Sequence, residues 1–282
     1  MSLAVEPGSL PECPHLEYNT SMMMNRLKIV SAAAGAAVAF LAVSAFAFRP
    51  LTGEDTLFLG KDGRQIEAGL GYSVSKEGQD VYSTGASAKL SYGLFDNLDV
   101  LITVPWQGWS SRGISESGLG DVNMEVKFPV AKKADWTLAL KPGFSMPAGN
   151  EAKSLGAGRG GVWLYGIAGR TYGPWQFYLN AGYLYNRNSL DEEVNIIKGS
   201  AAAAYGFLPK FKFTAELAGE TNRDRSASSH PVSSALGLIW APYPSLALDA
   251  GVKFGLTRPA ADLGLLGGIT LRCCKQVKMS WF

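Results

Sequence analysis

The sequence predicts an all-β chain that closes into a single transmembrane antiparallel barrel of about twelve strands, with short periplasmic turns and longer external loops. Three observations carry that reading. Segments of about ten residues alternate apolar with small or polar side chains, which is the length a tilted membrane strand needs. Tight turns and longer polar loops alternate strictly between those segments. Charged residues make up only 18% of the chain, with 33 glycines, against roughly a quarter charged in an average soluble domain. A soluble β-sandwich is the rival, but its strands usually run to only about five or six residues.

The first strand candidate is preceded by an export signal. Asn25-Arg26-Leu27-Lys28 is basic, and Ile29 to Phe48 follows without a charge and passes through Ala45-Phe46-Ala47. A basic start, an apolar core and small residues at the exit mark a cleaved signal peptide. Cleavage is expected after Ala47, with a retained inner-membrane anchor as the alternative that the length of the run allows. Residues 1–23 lie ahead of Met24, the last of three consecutive methionines, and read as a start-site artefact or disordered extension, leaving 24–47 as the signal peptide. Residues 48–64 are expected to be a periplasmic N-terminal segment, 65–272 the barrel, and 273–282 an atypical tail. Cys13, Cys273 and Cys274 make no disulfide framework. The adjacent pair reads as free thiols, or as a vicinal disulfide.

The strands follow in order. Gln65 to Ser75 places Ile66, Ala68, Leu70, Tyr72 and Val74 on one face. Val81 to Leu94 does the same with Tyr82, Ala86, Ala88, Leu90 and Tyr92. A turn at Phe95-Asp96-Asn97 leads into Leu98, Val100, Ile102, Val104 and Trp106, and Ser111 to Gly120 reads as an external loop. Val122, Met124, Val126, Phe128 and Val130 alternate with Asp121, Asn123, Glu125 and Lys127. After a turn at 131–134, Trp136, Leu138, Leu140, Phe144 and Met146 share a face. A glycine-rich loop at 148–160 separates them from Val162 to Tyr172. The turn Gly173-Pro174 leads to Trp175, Phe177, Leu179, Ala181, Tyr183 and Tyr185. An alanine-rich strand from Val194 to Phe207 ends at Leu208-Pro209, and Phe211, Phe213, Ala215 and Leu217 continue. Val232 to Trp240, Leu246 to Leu256 and Leu263 to Leu271 complete the set.

Trp106, Trp109, Trp136, Tyr172, Trp175, Tyr185, Tyr205, Trp240 and Tyr243 fall near strand ends, where amphipathic rings form interfacial girdles. The face opposite the apolar one carries Glu67, Lys89, Glu125, Lys127, Lys141, Lys198, Lys212, Glu216 and Lys253 as lumen-lining candidates, joined by Asp99, Asp121 and Asp249. A charge facing lipid at the midplane costs roughly 2–4 kcal/mol, so these positions require a polar interior. Six of each sign fit an inner network of ion pairs, and argue against a pore strongly selective for one sign.

Nothing assembles into an enzyme. Ser228-Ser229-His230-Pro231 offers a serine beside a histidine, but adjacent residues rarely reach nucleophile–base geometry. Gly156-Ala157-Gly158-Arg159-Gly160 lacks the helix a phosphate loop requires, and Asp191-Glu192-Glu193 reads as a solvated acidic turn. No cofactor or metal is expected. Formal net charge is +2, so nothing points to nucleic acid. The partners expected are outer-membrane lipid and lipopolysaccharide, the barrel-assembly machinery and small-molecule solutes.

Several stretches together resemble the outer-membrane proteins of the meta-pathway phenol-degradation family. They are Arg49-Pro50-Leu51-Thr52 with Glu54-Asp55, Gly63-Arg64-Gln65-Ile66-Glu67-Ala68-Gly69 and Tyr92-Gly93-Leu94-Phe95-Asp96-Asn97-Leu98-Asp99. Pro105-Trp106, Gly118-Leu119-Gly120-Asp121-Val122 with Lys127-Phe128, Pro147-Ala148-Gly149 and Asn180-Ala181-Gly182-Tyr183 continue the series in the same order. The resemblance implies a bacterial outer-membrane barrel that passes small, hydrophobic or aromatic compounds, and it supplies no defined site residues. One departure is the stretch from Cys273 to Met279, which runs past the last expected strand. The functional expectation is a transporter or porin-like barrel. A non-conducting structural or adhesive barrel, binding a partner through its external loops, is the alternative.

Overall fold

The computed structural model describes residues 51–76 and 80–273. Its strands are β1 (Arg64–Ser75), β2 (Val81–Phe95), β3 (Leu98–Ser111), β4 (Ile114–Leu119), β5 (Val122–Lys133), β6 (Trp136–Met146), β7 (Val162–Tyr172), β8 (Trp175–Tyr185), β9 (Asn195–Leu208), β10 (Phe211–Glu220), β11 (Val232–Tyr243), β12 (Leu246–Gly255) and β13 (Leu263–Cys273). Sequence neighbours pair antiparallel, and β1 closes the sheet on β13 from Arg64↔Cys273 to Val74↔Leu263. Closure matters because lipid offers no hydrogen bonds, so a spanning sheet must satisfy every backbone N–H and C=O internally. β4 and β5 share one stave. The first pairs with the outer part of β3 (Trp106↔Leu119) and the second with its inner part (Asp99↔Lys127). The thirteen strands therefore make a barrel of twelve staves.

That shared stave corrects the expected loop from Ser111 to Gly120. The chain turns tightly at Arg112 and Gly113, both at positive φ (54° and 79°), and runs straight back as β4. Paired positive φ is what lets a two-residue turn match the twist of its strands. The two serines and the glycine of β4 hide its strand character in the sequence.

The alternation sorts the side chains as membrane physics requires. Leu70, Leu90, Leu179 and Leu217 are each more than half exposed on the outer face, a state tolerable against lipid but costly across a whole face in water. Glu67, Asp99, Glu125, Lys127, Lys141 and Glu216 are buried inside. The outward aromatics include Trp106, Trp136, Tyr172, Trp175, Tyr185, Trp240 and Tyr243. Trp175 also stacks on Phe177 and packs against Tyr205. Trp109 corrects the girdle expectation. It shares its face of β3 with Asp99, so its ring points inward, and its Nε1–H donates to the Lys153 carbonyl at 3.0 Å. The expected signal peptide, the 1–23 extension, Cys13, Cys274 and the rest of the tail lie outside the described residues.

Candidate functional site

The lumen is built from both the wall and the chain that precedes it. Residues 48–64 are expected in the periplasm, yet residues 51–60 lie inside the barrel. Thr52 N–H and Oγ1–H both donate to Glu216 Oε2 at 2.5 Å, and Gly53 N–H donates to Oε1 at 2.7 Å. Glu54 exchanges backbone hydrogen bonds with the Asn180 side chain (3.1 and 3.2 Å). Its carboxylate bridges Lys89 at 3.2 Å and Lys141 at 3.0 Å. Asp55 meets Lys127 at 3.4 Å, and Phe58 lies beneath the same ammonium. Leu59 N–H then donates to Asp99, and Lys61 N–H to Asp96 in the β2–β3 turn. The segment thus descends from mid-lumen to the turn end, where it becomes β1.

The physical reason for the insertion is charge. Lys89, Lys127 and Lys141 face a lumen shielded from bulk water, and an unpaired buried ammonium is costly. Glu67 answers Lys89 at 2.6 Å and Glu125 answers Lys141 at 2.9 Å. Glu54 and Asp55 supply the remaining anions. Burial by itself raises the Glu54 carboxyl, but Lys141, Lys89 and Lys127 outweigh it and hold the group well below the usual carboxylate range. Trp163 Nε1–H donates to Glu125, so the network runs through five staves and the segment.

Two glycines permit the fit. A Cβ on Gly53 would lie 2.5 Å from Ser200 Oγ, 2.7 Å from Asn180 Nδ2 and 2.9 Å from Glu216 Oε1. A Cβ on Gly93 would collide with the Gly60 carbonyl, where the segment leaves the lumen. Only the missing side chain allows each approach.

All nine candidates sit on the inner face. Glu67, Lys89, Glu125, Lys127, Lys141 and Glu216 are drawn into the network around the segment. Lys198 pairs with Glu220 at 2.5 Å, and Lys212 Nζ bonds Gln176 at 2.8 Å. Lys253 lines an outer cavity. Sequence reasoning missed Thr52, Glu54, Asp55, Asn180 and Glu220. The available signal was the pair of carboxylates Glu54-Asp55 in a segment otherwise without charge. Elsewhere, His230 Nδ1 accepts the Asn222 N–H, which makes it a loop brace. Asp191 and Glu192 pair with Arg225 and Arg223.

The two halves of the lumen differ in volume. Between the segment and the β8–β13 wall a space of about 90 Å³ remains, lined by Leu51, Leu57, Tyr178, Lys212 and Asp249. Above the segment opens a cavity of about 1030 Å³. The loop at 147–161 folds over its rim. Asp121 accepts Gly149 N–H and Ala157 N–H, Gln107 bonds the Leu155 carbonyl, and the Leu155 side chain is buried.

The family described as "Putative MetA-pathway of phenol degradation" matches residues 47–273. The chain belongs to that family. No curated protein matches it in sequence. Among solved structures, an outer-membrane channel from Pseudomonas putida F1 is similar with a TM-score of 0.67 at 16% identity, covering 79% of this chain and 100% of that one. The NanC porin gives 0.52 at 13% identity, with 74% and 100% covered. The KdgM porin gives 0.50 at 9% identity, with 73% and 98% covered. At these identities the likeness is one of fold, that of an outer-membrane barrel.

Proposed function

We propose that this family member is an outer-membrane channel for small solutes, not an enzyme, whose inner half is closed by its own residues 51–60. The observation that carries the reading is how the segment is held. It touches the wall through side chains and single hydrogen bonds, never through a ladder of paired strands, so it can leave without opening the barrel. The large outer cavity ends directly on it, with Gly53 and Glu54 among the lining residues. Hydrophobic or aromatic solutes are the cargo the resemblance implies. Serine, asparagine, glutamine and charged side chains are set among glycines, alanines and a few rings in the lining of the outer cavity, which supports polar solutes as well.

The sealed, ion-paired inner half is what favours the second reading, a non-conducting barrel that works through its external loops. Single-channel recording of the refolded protein in a planar bilayer separates the two. Discrete openings between silent periods support the gated channel. A folded, heat-modifiable barrel that stays silent at all voltages supports the structural role.

A further inference from the structure

We propose that the outer cavity is a binding station for small, hydroxyl-rich carboxylates, with Lys253 as the anchor of the carboxylate; this deepens the channel reading and rests on it. Six charged side chains line the cavity: Glu54, Lys141, Lys198, Glu220, Arg223 and Lys253. Both carboxylates are already engaged, Glu54 by Lys89 and Lys141, and Glu220 by Lys198. Arg223 pairs with Glu192 at 3.1 Å. Lys253 holds no ion pair among the described residues. Among the described residues the cavity therefore carries a cation without a counter-charge, and low-dielectric walls around a cleft concentrate its field on an entering anion.

The surroundings of Lys253 say what kind of anion fits. In register it stands between Ala235 of β11 and Gly264 of β13. At Gly264 there is no side chain to fill the space between the Cβ atoms of Lys253 and Ser73. Small neighbours leave the ammonium accessible. Ser73 and Ser233 line the cavity on either side, with Gln107 and Asn123 on other staves. Hydroxyls and amides both donate and accept, so they complement a solute rich in hydroxyl groups. The aromatic rings offer less. The Trp109 N–H is taken by Lys153, and Lys141 lies over the Tyr165 ring at 5.7 Å.

The test is isothermal titration of the refolded full chain in detergent with four probes: gluconate, glucose, benzoate and phenol. Gluconate is expected to bind most tightly, and glucose and phenol to bind weakly. Lys253→Gln should weaken gluconate about fivefold, the scale of one solvated charge contact, while Lys253→Arg retains it. Heat-modifiable mobility reports that each variant is folded. Benzoate or glucose binding as tightly as gluconate, gluconate binding unchanged in Lys253→Gln, or no gluconate binding at all would overturn the proposal. Binding is read without membrane current. A silent barrel that binds gluconate would sink the channel reading alone, and a conducting barrel that does not bind it would sink this site alone.

Discussion

The inner and outer halves of this lumen share one wall of staves but treat charge in opposite ways. In the inner half, Lys89, Lys127 and Lys141 are each met by a carboxylate, and two of those carboxylates come from the inserted segment. In the outer half the wall pairs Lys198 with Glu220 and leaves Lys253 facing open space. The inner half is filled and the outer half is hollow. Twelve staves lie between the small barrels that side chains fill and the large ones that leave a channel. The difference teaches that barrel size alone does not close this lumen. The pairing of charges decides where the chain folds back into it.

The sharpest way to break the comparison is to evict the segment. Gly53→Val places branched carbon where Ser200, Asn180 and Glu216 already stand, so openings in bilayer recordings should become long-lived and mean current should rise severalfold. Next in size, Lys141→Ala strands Glu125 and removes one of the two cations on Glu54. Removing one partner of a buried pair costs about 3 kcal/mol, readable as a lower unfolding midpoint in urea. Leu155→Ala should act only on the outer rim. The buried side chain pins the loop at 147–161, and truncation costs about 2 kcal/mol locally, so trypsin should cut faster at Arg159 while the barrel stays heat-modifiable.

The smallest effect is on pH. Glu54 is held low in the folded protein by its lysines. A depressed carboxyl contributes stability that is present above its unfolded value, about 4.3, and is lost as pH falls through the lower folded value. The latch contributed by Glu54 should therefore be fully present through mildly acidic pH, begin to weaken as pH falls below about 4.3, and be lost once pH passes the lower folded value. Single-channel open probability against pH, compared between the native protein and Glu54→Gln, reads this out.

The strands were legible because lipid tolerates no ambiguity about parity. Leu70, Leu138 and Leu217 could face only one way, and once they did, Glu67, Lys141 and Glu216 were inside. The inserted segment was not legible, because it has no periodicity. Its partners stand far off along the chain, with Glu216 separated from Thr52 by 164 positions. Glu54 and Asp55 were visible as a charged pair within the family pattern, but nothing local says which lysines they meet. β4 was hidden by a turn whose left-handed residues, Arg112 and Gly113, look like loop composition. Trp109 was misplaced because an aromatic near a strand end fits a girdle equally well from either face.

The most direct test of the gate is a reversible lock. Thr56→Cys with Gly169→Cys, in a chain whose three native cysteines are replaced by serine, brings a new Cβ on β7 to 3.1 Å from the Cβ of residue 56, and the three atoms nearest to it all belong to Thr56, which is replaced as well. That is close enough for a disulfide after small shifts. The oxidised barrel should be silent in bilayer recordings, and reduction should restore its openings. An oxidised barrel that carries the same current as the reduced one would show that residues 51–60 do not gate this lumen.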